Sequence, residues 1–484
     1  MNTNKFIALM ILCIGLPMSS CKDYLDVNVD PNQSTSSRID LQLTSAQLQT
    51  AIAIGQRIYP TVSVWSQYYT GGPGVSIGDP DQHKLSSSES NEVFSRMYRG
   101  NLNLNFIIKN STENYYIAIA KIMQAYNFQV CVDLFGNIPF TDALKGDIAD
   151  GSVLHPSYEN AQNVVYPGVE TLLKDAIELI EKGGAYAHPA GDDLIYHGDM
   201  DLWNKFAHTL LLKLYLRTGT ALPAGFYVDD SQFITTNDEN AAVPFPGGSA
   251  GSNPFWNAAK STSLGNYFIA TTTVLEHLTA TADPRIDVFF DEAVGGHRGL
   301  HPGNIESVAT GDNNWDRPAG ALNPTGGLIF SPTAPVILMS AWEGNLLLAE
   351  AAVKNTGVSD LDAAYEAAVN ASFEYLGLDA AAVAAYLTGG GALDAGNPIK
   401  SIALQKWTSM NGLQPLESWI ETRRFDNAAN PIFSSAGGIF KSPTKNALGA
   451  GIFPSILPYP ENEESLNKSF PGPHDLTDKV FWDQ

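Results

Sequence analysis

The sequence predicts a mostly α-helical protein of stacked helix pairs, with a long loop-rich insertion and few short strands. Three observations predict it. Apolar residues recur at helical spacing through long segments in both halves of the chain. These segments come in neighbouring pairs separated by short polar breaks. Between them, residues 220–333 lose the periodicity and fill with Gly, Pro, Asn, Ser and Thr. With 484 residues, 44% of them hydrophobic, the chain can bury a sizeable core and fits two ordinary domains or one large one. A single domain over 41–484 is the expectation carried forward. Its helical scaffold covers 41–219 and 334–426, and a loop-rich C-terminal part covers 427–484.

The N-terminus is set apart. Lys5 is the only charged side chain before Cys21, and FIALMILCIGL (6–16) is a short apolar run. It suits a secretory h-region and is too short for a bilayer span, which takes about 20 residues. Residues 1–20 therefore read as a signal peptide. For Cys21 a buried thiol, a disulfide and a lipid attachment all arise. A chain this large does not need a disulfide staple. Ser19-Ser20-Cys21 fits a lipobox, with Met18 where leucine is commoner. Lipid attachment at Cys21 is the expectation, with acyl chains contributing about 0.8 kcal/mol per buried CH₂. Residues 21–40, through DPNQSTSS, then form a polar tether.

Helical patterns follow. LQLTSAQLQTAIAIGQRI (41–58) is amphipathic, and residues 92–110 and 114–135 make a pair. Cys131 lies among apolar neighbours, as a plain buried thiol would. In 158–182 the apolar positions keep helical spacing, and Pro167 should interrupt the first turns. In 201–219, Trp203, Phe206, Leu210 and Leu214 make one stripe, with His208 beside it as a core histidine. Within the insertion only 267–279 looks helical. Helices return at 335–355 with 361–377, then at 401–412 with 416–426. Such pairing suggests a tetratricopeptide-like stack, although the strict consensus is absent.

Composition narrows the partners. A net charge of -23 makes nucleic acid and anionic lipid surfaces poor partners. Aromatic residues are 10% of the chain, with 19 Tyr and 8 Trp. In an acidic, exported protein that content suits a surface meeting neutral polar ligands.

Several segments then carry a family resemblance. They are CKDYLDVNVDPNQST at the mature start, VDLFGNIPFTDAL (132–144), and DLIYHGDMDLWNKFAHTLLLKLYLR (193–217). DPRIDVFF (283–290), PVILMSAWEGNLLLAEAAV, QKWTSMNGLQPLESWIETRR (405–424) and FPSILPYPENEESLN (453–467) follow in order. Together they resemble the SusD/RagB family of SusD-like outer-membrane nutrient-binding lipoproteins over nearly the whole mature chain. The resemblance implies a lipid-anchored protein at the outer membrane, facing the cell exterior. It implies a partner, a SusC-like TonB-dependent transporter, to which captured oligosaccharides are delivered. It implies no catalysis and no cofactor. Asp23 and Asp26 loosely fit a surface-export signal.

Most motif residues look structural. Gly136 permits a turn that Pro139 stiffens, and Asp133 could accept backbone N–H groups there. Arg423 and Arg424 close a helix where cations suit the dipole and could bridge to acidic loops. Trp407 and Trp419 are expected between helices.

A sugar ring offers C–H groups to an aromatic face and hydroxyls to Asn, Asp or Arg. Three clusters place aromatics beside polar groups. VWSQYYTGGPG (64–74) offers Trp65, Tyr68 and Tyr69. SNPFWNAA (252–259) offers Trp256 beside Asn253. GDNNWDRPAG (311–320) offers Trp315 with Asp312, Asn314 and Arg317. The expected ligand-facing region is thus largely 220–333.

Other chemistries find weaker support. HRGLH (297–301) spaces two histidines for zinc, but its glycines and Pro302 make it a loop, with no third ligand evident. Loops such as GDNNWD are oxygen-rich and leave a structural calcium open, although the regular calcium-loop pattern is missing. A glycoside hydrolase needs two facing carboxylates, and 51 acidic residues supply pairs by chance alone. A surface hydrolase and a ligand-free helical scaffold are the alternatives.

Overall fold

The computed structural model describes residues 38–72, 79–146, 153–262, 267–304, 308–309, 311–323, 325–354 and 357–483. The expected signal peptide, Cys21 and most of the tether lie outside them. Residues from Ile39 onward form one compact unit.

The first half of the scaffold runs through α1 (Ile39–Gly55), α2 (Ile58–Trp65), α3 (Ser87–Asn110), α4 (Asn114–Phe135), α5 (Tyr166–Glu181) and α6 (Met200–Thr218). Helix α1 packs on α3, α3 on α4, α4 on α5 and α5 on α6. The expected pair 92–110 and 114–135 is therefore present. Pro167 is the second residue of α5, after a π-helical turn over Ala161–Val165, so the helix does start irregularly there. Asp199 caps α6 by accepting from the Leu202 N–H, and Gly219 ends it with φ of 68°.

The insertion is more structured than its composition suggests. It holds α7 (Pro254–Thr262) and α8 (Thr272–Ala280) as well as strands. The segment expected to be one helix over 267–279 begins instead with a strand. Strand β1 (Tyr69–Gly71) precedes β2 (Ile138–Pro139), β3 (Tyr158–Glu159), β4 (Ala241–Val243), β5 (Phe268–Ala270), β6 (Phe290–Asp291), β7 (Arg317–Pro318) and β8 (Val336–Met339). They form four antiparallel pairs, β1 with β5, β2 with β3, β4 with β8 and β6 with β7. Residues 335–355, read as one helix, likewise split into β8 and α9 (Ala341–Lys354). Val336, Ile337, Leu338 and Met339 are all buried, and a short apolar run buried on both faces does not reveal its period.

The second half continues with α10 (Leu361–Tyr375), α11 (Ala380–Leu387), α12 (Pro398–Ser409), α13 (Pro415–Arg424) and the short α14 (Glu461–Leu466). Helix α9 packs on α10, α12 and α6, which joins the two halves across the insertion.

Buried charge reinforces that junction. Lys213 of α6 pairs with Glu343 of α9 at 2.5 Å, and Arg217 with Glu421 of α13 at 2.8 Å. Lys406 of α12 reaches Glu421 at 2.6 Å, and Arg424 reaches Glu350 of α9 at 2.6 Å. These side chains are nearly all withdrawn from solvent. Buried ions must be paired and hydrogen-bonded to be tolerated, and removing one partner costs about 3–5 kcal/mol. Arg424 thus bridges to helices rather than to acidic loops.

Asp133 also differs from expectation. Its carboxylate accepts from the Tyr166 hydroxyl at 2.5 Å, the Trp482 indole at 2.9 Å and the Arg217 guanidinium, all side chains rather than backbone N–H groups. It pins the C-terminal tail to the scaffold. Cys131 is a buried free thiol, and Trp407 and Trp419 are buried against helices as expected. His208 is buried, bonds the Asn204 carbonyl at 3.0 Å, and packs on Phe226 and Phe233.

Candidate ligand-binding site

Helix α7 begins where Asn253 can cap it. The Asn253 side-chain oxygen accepts from the Phe255 and Trp256 N–H groups at 2.9 and 3.1 Å. Its amide donates to the Ala334 carbonyl at 2.9 Å, tying the helix start to the chain entering β8. Trp256, 8% exposed, is thereby held at one wall of a narrow groove with a cavity of about 50 Å³. Tyr59, Phe255, Phe330 and Tyr375 supply further aromatic lining. Phe255 stacks on Tyr59 with centroids 4.3 Å apart, and Trp256 meets Phe330 at 4.9 Å. The Lys260 ammonium sits 4.5 Å from the Trp256 ring centre.

The groove floor is a turn at Gly412–Gln414. Gly412 has φ of 71°, and a Cβ there would lie 2.4 Å from Ile329. Its carbonyl accepts from the Tyr59 hydroxyl at 2.6 Å. Gln414 donates to Glu343 at 2.9 Å, while its side-chain oxygen is buried without a partner. An aromatic wall with few fixed polar groups is suited to the C–H face and hydroxyl rim of a sugar.

The Trp315 cluster lies on the other strand pairings. The Ala270 N–H of β5 donates to the Asp316 carbonyl at 2.8 Å, just before β7. Trp315 packs on Ile269 and Leu300, and its indole donates to the Asp312 carbonyl at 3.1 Å. The Asp312 carboxylate holds Arg298 at 2.8 Å and falls below the usual carboxylate range because of that hydrogen bond. Asn314 exchanges two hydrogen bonds with the Val294 backbone, at 2.7 and 3.0 Å. Arg317 is buried in β7, and burial lowers its pKa.

His297 joins the same loop system. One ring nitrogen meets Asp316 at 2.5 Å and the other Asp287 at 3.1 Å. Partial burial pushes its pKa down, but the two carboxylates outweigh this and leave it raised. His301 contacts the Pro302 carbonyl at 3.1 Å. The two histidines of HRGLH therefore have different partners. Among the described residues no three His, Cys, Asp or Glu side chains gather as a metal site would require.

The first cluster is buried, with Trp65 at the edge of a second cleft beside Trp419 and Tyr68 and Tyr69 in the core. Trp65 is buried, donates to the Pro80 carbonyl at 3.2 Å and lies 5.1 Å from Trp419. Tyr68 is fully buried, stacks on Trp407 at 5.5 Å and contacts the Ser418 hydroxyl at 2.5 Å. Tyr69 is buried against Phe268 and Phe290, and its hydroxyl has no partner. Asn253 and Trp256 thus share one groove, Asp312, Asn314 and Trp315 share a loop cluster, and Tyr68 and Tyr69 serve the core. Tyr59, Phe330, Tyr375 and Gln414 were not legible as site residues. Only the tertiary contacts bring their four separate segments together.

Fold and site together define a mostly helical scaffold with an aromatic-lined groove. The profile of the SusD-like_2 family, described as "Starch-binding associating with outer membrane", matches residues 31–459, and the chain belongs to this family. No curated protein sequence matches the chain. Among solved structures, a chitin-binding protein is 22% identical with a TM-score of 0.75, covering 92% of this chain and 100% of its own. A chitin-binding SusD homolog from Flavobacterium johnsoniae is 18% identical, with a TM-score of 0.71 and coverage of 93% and 99%. A SusD homolog from Bacteroides uniformis is 20% identical, with a TM-score of 0.71 and coverage of 93% and 100%. At these identities the likeness establishes the fold. Among the described residues no helix is long and apolar enough to cross a membrane.

Proposed function

We propose that the protein is a non-enzymatic glycan-binding lipoprotein of the outer membrane. It captures oligosaccharides at the cell surface and delivers them to a SusC-like TonB-dependent transporter, while lipid on Cys21 keeps it beside that partner. The observation that carries the binding step is the Trp256 groove, where an aromatic wall meets Asn253, Gln414 and Glu417. Family membership and the chitin-binding relatives support glycan as the ligand class. Each protein–sugar hydrogen bond nets only about 0.5–1.5 kcal/mol because water competes, so affinity stays modest and cargo can be released.

The test is titration of the mature protein against starch and chitin oligosaccharides, with reducing ends assayed in parallel. Binding without new reducing ends supports the proposal. New reducing ends would make it a hydrolase, and no binding would leave a scaffold. For the anchor, Cys21→Ala should release the exported protein from the membrane fraction; unchanged membrane association would refute lipid attachment there.

A further inference from the structure

A second cleft lies between α13, the chain at 451–455 and the C-terminal tail, with a volume of about 460 Å³. It shares no lining residue with the Trp256 groove. One wall is the partly exposed Phe440 and Phe453, with ring centroids 6.2 Å apart. A second wall is Trp419, whose face is covered by the Arg423 guanidinium at 3.8 Å.

Most polar groups in the cleft are already engaged. Arg423 donates to the Trp419 carbonyl at 3.3 Å, the Asp133 carbonyl at 2.9 Å and the Ser455 carbonyl. Asp426 accepts from the Ile432, Phe433 and Ser435 N–H groups and from the Ser434 hydroxyl, at 2.6–3.0 Å. Asp483 differs. Its side chain is 6% exposed and lines the cleft, and one oxygen lies 3.4 Å from Lys479. The other oxygen is buried and makes no hydrogen bond of ordinary length, the Ser455 side chain acting on the carboxylate only at longer range. A buried acceptor left unpaired calls for a donor. Burial raises the Asp483 pKa, against the opposing pull of Arg423, Lys479 and Ser455.

We propose that this cleft binds a neutral saccharide unit, with a ligand hydroxyl donating to Asp483 and a C–H face set on Phe453. The chain's net charge of -23 and the two carboxylates in the cleft disfavour an anion. Arg423 and Lys479 disfavour a metal cation at Asp483. A neutral donor with an apolar face satisfies both the open oxygen and the phenyl wall. The ligand class is shared with the function proposed above, but the site is separate.

Calorimetric titration of the mature chain with maltotriose and with diacetylchitobiose tests it, alongside a co-crystal with whichever binds. Two sites are expected. Asp483→Asn and Phe453→Ala should each weaken one of them about tenfold with unfolding temperature unchanged, and Trp256→Ala should weaken only the other. If the groove is not a glycan site, wild type shows a single site that Trp256→Ala spares and Asp483→Asn weakens. Absence of any site sensitive to Asp483→Asn and Phe453→Ala overturns the proposal whatever the groove does. So does a complex with sugar in the groove and none beside Asp483.

Discussion

The Arg298 guanidinium lies 3.8 Å from the centre of the Trp315 ring, held there by the Asp312 carboxylate at 2.8 Å. The face a sugar would use is therefore already occupied by a cation of this chain. Over Trp256 the cation is instead the compact Lys260 ammonium, 4.5 Å from the ring centre and donating to the Ala321 carbonyl at 2.8 Å, which covers less of the ring than a planar guanidinium.

Trp256→Ala is therefore expected to weaken glycan binding about tenfold, and Trp315→Ala by less than about threefold. Titration of the two single variants checks the order. A larger loss from Trp315→Ala would move the primary platform to that loop.

The groove floor gives a second expectation. Gly412→Ala forces a Cβ to within 2.4 Å of Ile329 and 2.9 Å of the Tyr69 hydroxyl, at a φ of 71°. Strain and overpacking together should lower stability by about 1–3 kcal/mol and weaken glycan binding. Denaturant unfolding and titration of this variant measure both effects. Unchanged values would mean that segment 328–330 moves aside freely.

Acid should loosen the junction between the scaffold halves. Burial pushes Glu350 up, but Arg424, Lys354 and Lys406 outweigh it and bring its carboxyl from 4.5 to about 2. Glu421 is likewise held well below the usual range, burial being outweighed by Arg424, Lys406 and Arg217. The unfolded chain binds these protons first as pH falls. The stabilisation is thus full above the ordinary carboxylate value and is lost on descending toward pH 2. Glu421→Gln, which leaves Lys406 and Arg217 under-compensated, should cost about 3–5 kcal/mol at neutral pH and flatten the acid dependence. Equilibrium unfolding across that range reads both.

His297 titrates in the opposite sense. Its raised pKa means that the protonated ring, shared by Asp316 and Asp287, stabilises the fold. That contribution is present below the ordinary histidine value of 6.5 and is lost as pH rises through the folded value. His297→Gln should remove this pH step from loop protection in hydrogen exchange. A step that survives the substitution would assign it to another group.

The helix pairs were readable because a surface helix must turn one apolar face inward, and that need writes a period into 92–135 and 201–219. Pro167 marked the irregular start of one helix, whereas the Asp199 and Gly219 caps of another became visible only in the structure. The strands were not readable. Phe268–Ala270 and Val336–Met339 are short and buried throughout, so neither shows alternation against solvent. Asn253 and Trp256 were readable as a polar–aromatic neighbour pair within one short segment. Tyr68 and Tyr69 had the same local signature and lie in the core, because burial depends on what the rest of the chain lays over a residue. The sequence by itself determined the helical scaffold, the loop-rich insertion and the family. Only tertiary structure decided which aromatics border open space, since a groove is made by segments such as Tyr59, Trp256, Phe330 and Gly412 that are remote along the chain.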